Sequence, residues 1–273
     1  MNVTGDDTKR RRSDSAARAA REAGLLANWE RSRRAWVTLA DLEASVGPGP
    51  ARQVATRLVR KGVLERVAAG RYLVHPLRLL GRARSVSSPV VAAAILVDRR
   101  YYLGGLWALT FHRLTEQQYA SVLDVFVERQ RQPLRLKTAR LVFHRMGRQR
   151  LTRGLAAAEF EGISIPVSTP ERTLLDLLDL PALAGGVGPA VRLVQECLPK
   201  VSASLLVEQA VRDAKPSTCQ RLGVLLERDG VSERKLQPLH RRVRQTKSLL
   251  SLVADAPRTG PVNRRWRVVE NDR

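Results

Sequence analysis

The sequence predicts an α+β protein with two domains, the first small and the second larger. The chain has 273 residues, a length that suggests about two domains. Hydrophobic residues make up 44% of it, which is enough to form packed cores. Helix-like and strand-like periods are both present, and in the second half short strand-like runs precede several helix-like ones.

The chain starts with a polar segment that we predict to be a flexible basic arm, residues 1–14. It contains four consecutive cations, Lys9, Arg10, Arg11 and Arg12, and their mutual repulsion favours a mobile segment. Such an arm can enter a minor groove or follow phosphates, and it can equally be a solvated tail.

Two helices and a turn are predicted next. Residues 15–32 are rich in Ala, Arg and Glu, which favour a helix. Trp36 and Val37 are predicted to pair as a short strand, and Thr38 to cap a second helix over residues 39–46. Residues 47–50 (GPGP) then form the turn into a third helix.

This third helix, residues 51–61, is predicted to be amphipathic. At a period of 3.6, one face is aliphatic and consists of Val54, Ala55, Leu58 and Val59. The other face is polar and consists of Arg52, Gln53, Thr56, Arg57 and Arg60. This pattern fits the second helix of a helix-turn-helix, whose donors read base edges and phosphates in a major groove. A solvated surface helix is the alternative.

A hairpin is predicted after Gly62, from strand-like runs at residues 63–67 and 71–74. Helix, helix, turn, helix and hairpin together predict a winged helix-turn-helix at residues 15–76. A winged helix that binds protein has the same core, but cations on the third helix and the wing favour double-stranded DNA. The predicted DNA contacts are Arg52, Gln53, Thr56, Arg57, Arg60, Lys61, Arg66 and Arg71, with Lys9, Arg10, Arg11 and Arg12 of the arm.

The charge of the whole chain agrees with a polyanionic partner. There are 48 Lys and Arg against 26 Asp and Glu, a net charge of +22. Charge alone does not identify the polyanion, because ribosomal and membrane-surface proteins share it. The longest apolar run, residues 90–97, is too short to span a bilayer, and no signal peptide is visible, so we expect a cytoplasmic protein without a membrane.

Residues 77–88 are predicted to be a linker, and residues 89–250 the α+β domain. Its strands are predicted at residues 101–103, 122–127, 139–144 and 162–167. Its helices are predicted at residues 89–96, 106–112, 172–178, 189–198, 202–214, 217–227 and 233–244. Residues 251–273 are predicted to be a basic C-terminal tail, with a final strand around Trp266 as the alternative.

A second basic segment lies between residues 129 and 153. It contains Arg129, Arg131, Arg135, Lys137, Arg140, Arg145, Arg148, Arg150 and Arg153, with almost no acidic residue among them. This segment is either a second polyanion-binding surface, for DNA or RNA, or the solvated cationic face of a strand pair.

The search for a catalytic or metal site predicts neither, and no cofactor is expected. His75, His112, His144 and His240 lack helical metal-pair spacing, and Cys197 and Cys219 lack zinc-site spacing, which suits a reducing compartment. There is no phosphate-binding glycine loop and no nucleophile elbow.

A metal-dependent nuclease is the enzymatic alternative, with Asp124 and Glu128 as its nearest candidate acids. The lysine that such a site needs is missing after Glu128, where the chain continues with Arg129 and Gln130. Asp176 and Asp179 are expected to cap or pair locally. We therefore expect no enzyme.

Several segments of the second domain resemble the AbiE-type antitoxins. They are residues 101–109 (YYLGGLWAL), 114–117 (LTEQ), 166–177 (PVSTPERTLLDL), 185–187 (GGV) and 221–227 (RLGVLLE). The resemblance covers about residues 20–230. It departs from the family where Arg113 follows His112 in place of the usual glycine, and the basic ends look like additions.

The resemblance implies the antitoxin of a type IV toxin–antitoxin system in abortive infection. Its winged helix would repress its own operon by binding inverted repeats in the operator. Its C-terminal antitoxin domain would counter a nucleotidyltransferase-like toxin, commonly without a stable complex. Two alternatives stay open: a winged-helix transcriptional regulator whose second domain senses a ligand or partner, and a DNA-directed nuclease.

Overall fold

The protein is a mixed α+β structure in the computed structural model, which describes residues 4–75, 86–136, 139–254 and 256–272. Side chains are not described for residues 4–15 and 18. The chain divides into two compact units, Met1–Val97 and Asp98–Arg273. Among the described residues, no helix combines the length and the apolar character that crossing a bilayer requires.

The first unit combines helices with a small antiparallel sheet. Its elements are α1 (Thr4–Arg31), β1 (Trp36–Thr38), α2 (Leu39–Val46), α3 (Pro48–Arg60), β2 (Leu64–Ala68), β3 (Arg71–Val74) and α4 (Ser88–Ile95). The strand order is β1-β3-β2, and both pairs are antiparallel. The core is formed by Trp29, Val37, Leu42, Leu58 and Tyr72, with smaller aliphatic residues around them.

The helix α1 begins at Thr4, so it includes the segment predicted to be a flexible arm. Two features of the sequence favour this helix. Asp6 and Asp7 precede Arg10 and Arg11 by four residues, the spacing of attractive pairs on one helix face. The following AARAARE segment has high intrinsic helix propensity. Repulsion among the four cations therefore does not prevent this segment from forming a helix.

The predicted cap at Thr38 is present, but the turn between α2 and α3 is shorter than predicted, because α3 begins at Pro48 and includes residues 48–50. Thr38 Oγ1 accepts a hydrogen bond from the backbone N–H of Asp41 at 3.1 Å, and Asp41 Oδ2 accepts one from the N–H of Thr38 at 2.8 Å. This capping box begins α2. Gly47, with φ of +86°, then redirects the chain into α3, which starts with Pro48.

The helix α4 belongs to the first unit, whereas the prediction assigned it to the second domain. Seven of its eight residues are buried, all except Ser88. The guanidinium of Arg71 on β3 donates a hydrogen bond to the carbonyl of Ile95 in the last turn of α4. This contact caps the C-terminal end of α4 and ties it to the hairpin. Most of the predicted linker, residues 77–85, lies outside the described residues.

The second unit contains a six-stranded mixed sheet followed by packed helices. Its strands are β4 (Tyr101–Gly104), β5 (Val122–Val127), β6 (Leu134–Arg135), β7 (Arg140–Arg145), β8 (Leu155–Phe160), β9 (Ile163–Ser168), β10 (Leu250–Ser251), β11 (Val262–Asn263) and β12 (Val268–Val269). Its helices are α5 (Gly105–Phe111), α6 (Pro170–Asp179), α7 (Val187–Cys197), α8 (Ala203–Asp213), α9 (Pro216–Arg228) and α10 (Glu233–Arg244).

The large sheet has the order β6-β7-β5-β4-β9-β8. The pairs β5–β7 and β4–β9 are parallel, and the other three are antiparallel. The strand β8 was not predicted, because its sequence LAAAEF has low strand propensity. It forms through its turn: Glu161 and Gly162 both have positive φ, as a two-residue hairpin loop requires.

The C-terminal segment is folded, so the prediction of a basic tail at residues 251–273 was wrong. Strands β10, β12 and β11 form a small sheet, and Trp266 beside it is fully buried. The indole N–H of Trp266 donates to Glu227 Oε2 on α9 at 3.0 Å. Apolar residues among the cations, Val262, Trp266 and Val268, carried the signal for the strand alternative.

Candidate nucleic-acid interface

The exposed face of α3 carries four of the predicted DNA contacts. Arg52, Gln53, Thr56 and Arg60 are all exposed, while Ala51, Val54, Ala55 and Leu58 are buried. Spacings of three, four and eight residues place these polar side chains on one stripe of the helix. We call this stripe the α3 face.

Val59 also lies on the α3 face, which corrects its predicted place in the core. Its exposed fraction is 38%, whereas the buried aliphatic residues of α3 are at most 5% exposed. It follows Arg52 by seven residues and Thr56 by three, so it lies on the same side of the helix, one turn after Thr56. The α3 face is therefore polar with one apolar side chain within it.

The arginines of the α3 face are not neutralised. Neither Arg52 nor Arg60 forms an ion pair or a side-chain hydrogen bond with any residue that the structure describes. The hydroxyl of Thr56 donates to the carbonyl of Arg52 at 2.9 Å, one turn earlier. Within the described part of the chain, the face thus presents two free guanidinium groups and one free amide, that of Gln53.

Arg57 and Lys61 lie apart from the α3 face, although both were predicted among the DNA contacts. They converge on Glu22 of α1: Arg57 Nε donates to Oε1 at 2.8 Å, and Lys61 Nζ to Oε2 at 2.7 Å. No sequence pattern indicated this contact, because Glu22 precedes them by 35 and 39 residues. Arg57 therefore points toward α1, away from Arg52, and its predicted DNA contact stays a prediction.

Glu22 is charged in this arrangement. Burial alone would raise its pKa, but the hydrogen bonds and charges of Lys61 and Arg57 outweigh burial and hold the pKa below its ordinary value. The side chain of Glu22 is 9% exposed, compared with 36% for Arg57 and 59% for Lys61. The carboxylate is thus a nearly buried anchor with two partly exposed cations around it.

The two wing arginines have different surroundings. Arg66 on β2 is exposed and lies next to a register shift that interrupts the pairing with β3. Arg71 is partly buried and donates to the carbonyl of Ile95 in α4. Arg66 is therefore accessible on the hairpin, whereas Arg71 has a structural contact, and the predicted phosphate contacts of both stay predictions.

The four cations of the predicted arm, Lys9, Arg10, Arg11 and Arg12, lie on the first half of α1. Their side chains fall outside the described residues, so their predicted DNA contacts stay predictions.

The basic segment of the second unit, residues 129–153, contains both ion-paired and unpaired arginines. Arg150 bonds to Asp179 at 2.6 Å, and Arg153 bonds to Asp213 at 2.8 Å. Arg131 lies over the ring of Phe143, and Lys137 is outside the described residues. Exposed arginines without an ion pair to any described acid are Arg129, Arg135, Arg140, Arg145 and Arg148.

Two of these unpaired arginines face each other across strands. Arg135 on β6 and Arg140 on β7 are register partners in the antiparallel pair, so their side chains lie on the same side of the sheet. Like charges in directly opposite positions destabilise a strand pair. This edge of the sheet therefore holds uncompensated positive charge, which stays compatible with both predicted interpretations of the segment.

A buried polar network joins two of the segments that carry the antitoxin resemblance. The hydroxyl of Tyr102 donates to Asp176 at 2.7 Å and accepts from Arg172 at 3.0 Å, while Arg172 Nε donates to Asp176 at 2.9 Å. Burial raises the pKa of Tyr102 well above its ordinary value, so it remains a neutral donor. Asp176 pairs locally with Arg172, as predicted. The prediction was wrong for Asp179, whose partners Arg150 and Thr218 are distant in sequence.

The candidate nuclease acids are not brought together. Asp124 on β5 is buried, and its Oδ1 lies 2.7 Å from His144 Nε2 on β7, while Glu128 is exposed beyond the strand end. No group of three or more His, Cys, Asp or Glu side chains within residues 4–75, 86–136, 139–254 and 256–272 is arranged to hold a metal ion.

Comparison with known proteins identifies a shared fold. No protein-family profile matches the chain, and no curated protein matches it. Among solved structures, it is similar to the crystal structure of the RV2827C protein from Mycobacterium tuberculosis, with a TM-score of 0.60 and 16% sequence identity over 92% of this chain and 91% of that chain. At this identity the similarity concerns the fold alone, so function has to be argued from the site.

Proposed function

We propose that the first unit is a winged helix-turn-helix that binds double-stranded DNA through the α3 face. The observation that carries this proposal is the stripe of Arg52, Gln53, Thr56 and Arg60, with two arginines that no described acid neutralises. Arg pairs with guanine edges and Gln with adenine edges in a major groove, and α3 is short enough to enter one.

The elements around α3 support the same proposal. The order α1-β1-α2-α3-β2-β3, with strand order β1-β3-β2, is the element order of a winged helix. A capping box fixes the start of α2, Gly47 joins α2 directly to the reading helix, and Arg66 of the hairpin is exposed and could contact a phosphate. The net charge of +22 adds long-range attraction to any nucleic acid.

The DNA-binding proposal is tested by fluorescence anisotropy with the full chain. The probes are a duplex from upstream of the gene and a scrambled duplex of equal length and composition. The double variant Arg52→Ala and Gln53→Ala should lose the preference for the upstream duplex, since each good base contact contributes roughly 1–3 kcal/mol. Arg234→Ala, an exposed arginine of α10 in the other unit, is the charge-matched control. An unchanged preference in the double variant would overturn the assignment of α3.

We propose further that the chain is an AbiE-type antitoxin that represses its own operon and counters a nucleotidyltransferase-like toxin. Support comes from the resembling segments and from their places in the fold. Leu103 of one segment pairs in register with Val167 of another, and Tyr102 bonds to Arg172 and Asp176. Segments separate in sequence thus meet in one buried arrangement, as parts of a common domain would.

Co-expression with the neighbouring gene tests the antitoxin proposal. A neighbouring nucleotidyltransferase-like gene should arrest growth alone, and the full chain should restore growth. The double variant with Arg52→Ala and Gln53→Ala should lose repression of a promoter reporter. It should still restore growth, because the α3 face is proposed to bind DNA and not to act on the toxin. Operator binding without any restoration of growth would favour a winged-helix regulator whose second domain senses another ligand or partner.

A further inference from the structure

A cleft lies beside the α3 face and is lined by residues of α1, the end of α2 and α3. Its polar lining consists of Arg21, Glu22, Gln53 and Arg57, and apolar side chains of α2 and α3 complete it. Gln53 belongs both to this cleft and to the α3 face, so the two surfaces are continuous. Arg21 was not among the residues singled out from the sequence, because it lies on α1, outside the reading helix.

The cleft is positively charged despite its carboxylate. Glu22 is already engaged by Arg57 and Lys61, so its negative charge is more than compensated. Arg21 adds a further cation, is exposed, and pairs with no described acid. The cleft therefore attracts an anion and does not need to break an existing ion pair to bind one.

Arg57 is held in position to donate into the cleft. It binds Glu22 through Nε and Nη2, each at 2.8 Å from Oε1. Its remaining terminal nitrogen, Nη1, makes no hydrogen bond within the described residues. A guanidinium fixed along one edge by a carboxylate presents its other donors in a defined direction, which lowers the entropy lost on binding an oxygen ligand.

We propose that this cleft binds one phosphate of the DNA backbone next to the groove that the α3 face reads. Arg57 and Arg21 donate to its oxygens, and the amide of Gln53 is placed between the phosphate and the groove. Phosphates line both sides of a major groove, so a helix reading base edges brings the adjacent surface of its domain against them. This inference rests on the proposed DNA binding and gives Arg57 a phosphate-positioning role in place of base reading.

The inference has a signature that differs from base reading. A phosphate contact carries no sequence information, so removing it weakens binding to all duplexes alike. Fewer counterions are then released on binding, so the slope of log K against log salt concentration should fall by about 0.9 for each phosphate that is no longer neutralised. Removing a base contact at Arg52 should instead change the preference among sequences and leave most of the slope intact.

Arg21→Ala is the principal test, because Arg21 makes no ion pair with a described residue whose removal would disturb the fold. We expect it to weaken binding on the order of tenfold, equally for the upstream and scrambled duplexes, with the reduced salt slope. Arg31→Ala is the matched control: it removes the same charge from the same helix, about 15 Å from Arg21 along the axis. It should change the slope much less than Arg21→Ala does.

The contacted phosphate can be located by neutralising the phosphates of the DNA one at a time. Single phosphates of the upstream duplex are replaced by methylphosphonate. At one position the replacement should weaken binding by the wild-type protein and by the Arg31→Ala variant, but it should have little further effect on binding by Arg21→Ala. If the wild-type chain binds no duplex, the proposed function fails with the inference. If it binds, but the slopes of Arg21→Ala and Arg31→Ala agree and no position shows this coupling, the phosphate cleft alone is overturned.

Discussion

Glu22 on α1 and Arg57 on α3 are joined by two contacts of 2.8 Å, from Nε and Nη2 of the guanidinium to one carboxylate oxygen. Lys61 binds the other oxygen at 2.7 Å. These contacts link the first helix to the end of the proposed reading helix. They also separate the cations of α3 into two groups, those bound to α1 and those free on the α3 face.

Glu22→Gln should destabilise the first unit. The neutral amide removes the ionic part of two hydrogen bonds to a nearly buried group, while partly exposed partners remain solvated. We expect a decrease of about 1–2 kcal/mol in the free energy of unfolding. Urea unfolding followed by circular dichroism measures it. Glu30→Gln, on the exposed side of the same helix, should change stability by less than about 0.5 kcal/mol.

The contribution of Glu22 should depend on pH in one direction. Its pKa in the folded chain lies below the ordinary value of 4.5, so the unfolded chain binds the proton more readily. The stabilisation is therefore fully present above pH 4.5 and is lost as the pH falls through the lower, folded-state pKa. The stability difference between the wild type and Glu22→Gln should be constant near neutral pH and shrink below pH 4.5. A difference that grows on acidification would contradict the ion-pair assignment.

Local features of the sequence predicted a large part of the fold. The capping box at Thr38 and Asp41 involves residues three apart, and β5 at Val122–Val127 is a short apolar run interrupted only by Asp124. The helix period of α3 predicted Arg52, Gln53, Thr56 and Arg60 on its exposed face, but it placed Val59 in the core. What the sequence did not reveal are contacts between distant positions, such as Glu22 with Arg57 and Arg71 with the carbonyl of Ile95. Period and spacing carry no information on which of several arginines meets an acid or carbonyl elsewhere in the chain.

Val59 should contribute to recognition if the α3 face reads a major groove. Val59 is exposed one turn after Thr56 and matches the C5-methyl group of thymine, the apolar feature of that groove. Replacing the contacted thymine by deoxyuracil should weaken wild-type binding by about 0.8 kcal/mol, roughly fourfold in Kd. Val59→Ala should weaken binding by a similar amount and become insensitive to deoxyuracil at that position. Additive effects at every thymine would exclude a methyl contact by Val59.

Arg135→Glu should stabilise the second unit. Arg135 and Arg140 are register partners on β6 and β7, and the change converts a repulsive cross-strand pair into an attractive one. We expect an increase of about 0.2–1 kcal/mol in the free energy of unfolding at low salt, diminishing at high salt. Arg148→Glu controls for the change in net charge. It reverses a charge in the loop after β7, where no cross-strand partner is described. Equal effects of both variants would show that the increase arises from net charge alone.

Gly223 on α9 tests how the C-terminal segment is packed. An added Cβ there would lie 2.1 Å from Cε3 of Trp266, a distance that real contacts do not reach. Gly223→Ala should therefore lower the free energy of unfolding by about 1–3 kcal/mol, although alanine favours a helix by up to about 1 kcal/mol. Gly24→Ala on α1 is the matched control, since a Cβ there meets no described atom within 4 Å. It should raise stability by about 0.5–1 kcal/mol.

A double variant tests whether the indole of Trp266 causes the destabilisation by Gly223→Ala. Trp266→Phe leaves more space over Gly223 but removes the hydrogen bond to Glu227, so it should destabilise the chain by itself. Combined with Gly223→Ala, the destabilisation should be smaller than the sum of the two single effects, because the methyl group then occupies space that the smaller ring leaves. Additive effects in thermal unfolding would mean that residues 251–273 do not pack on α9 in solution.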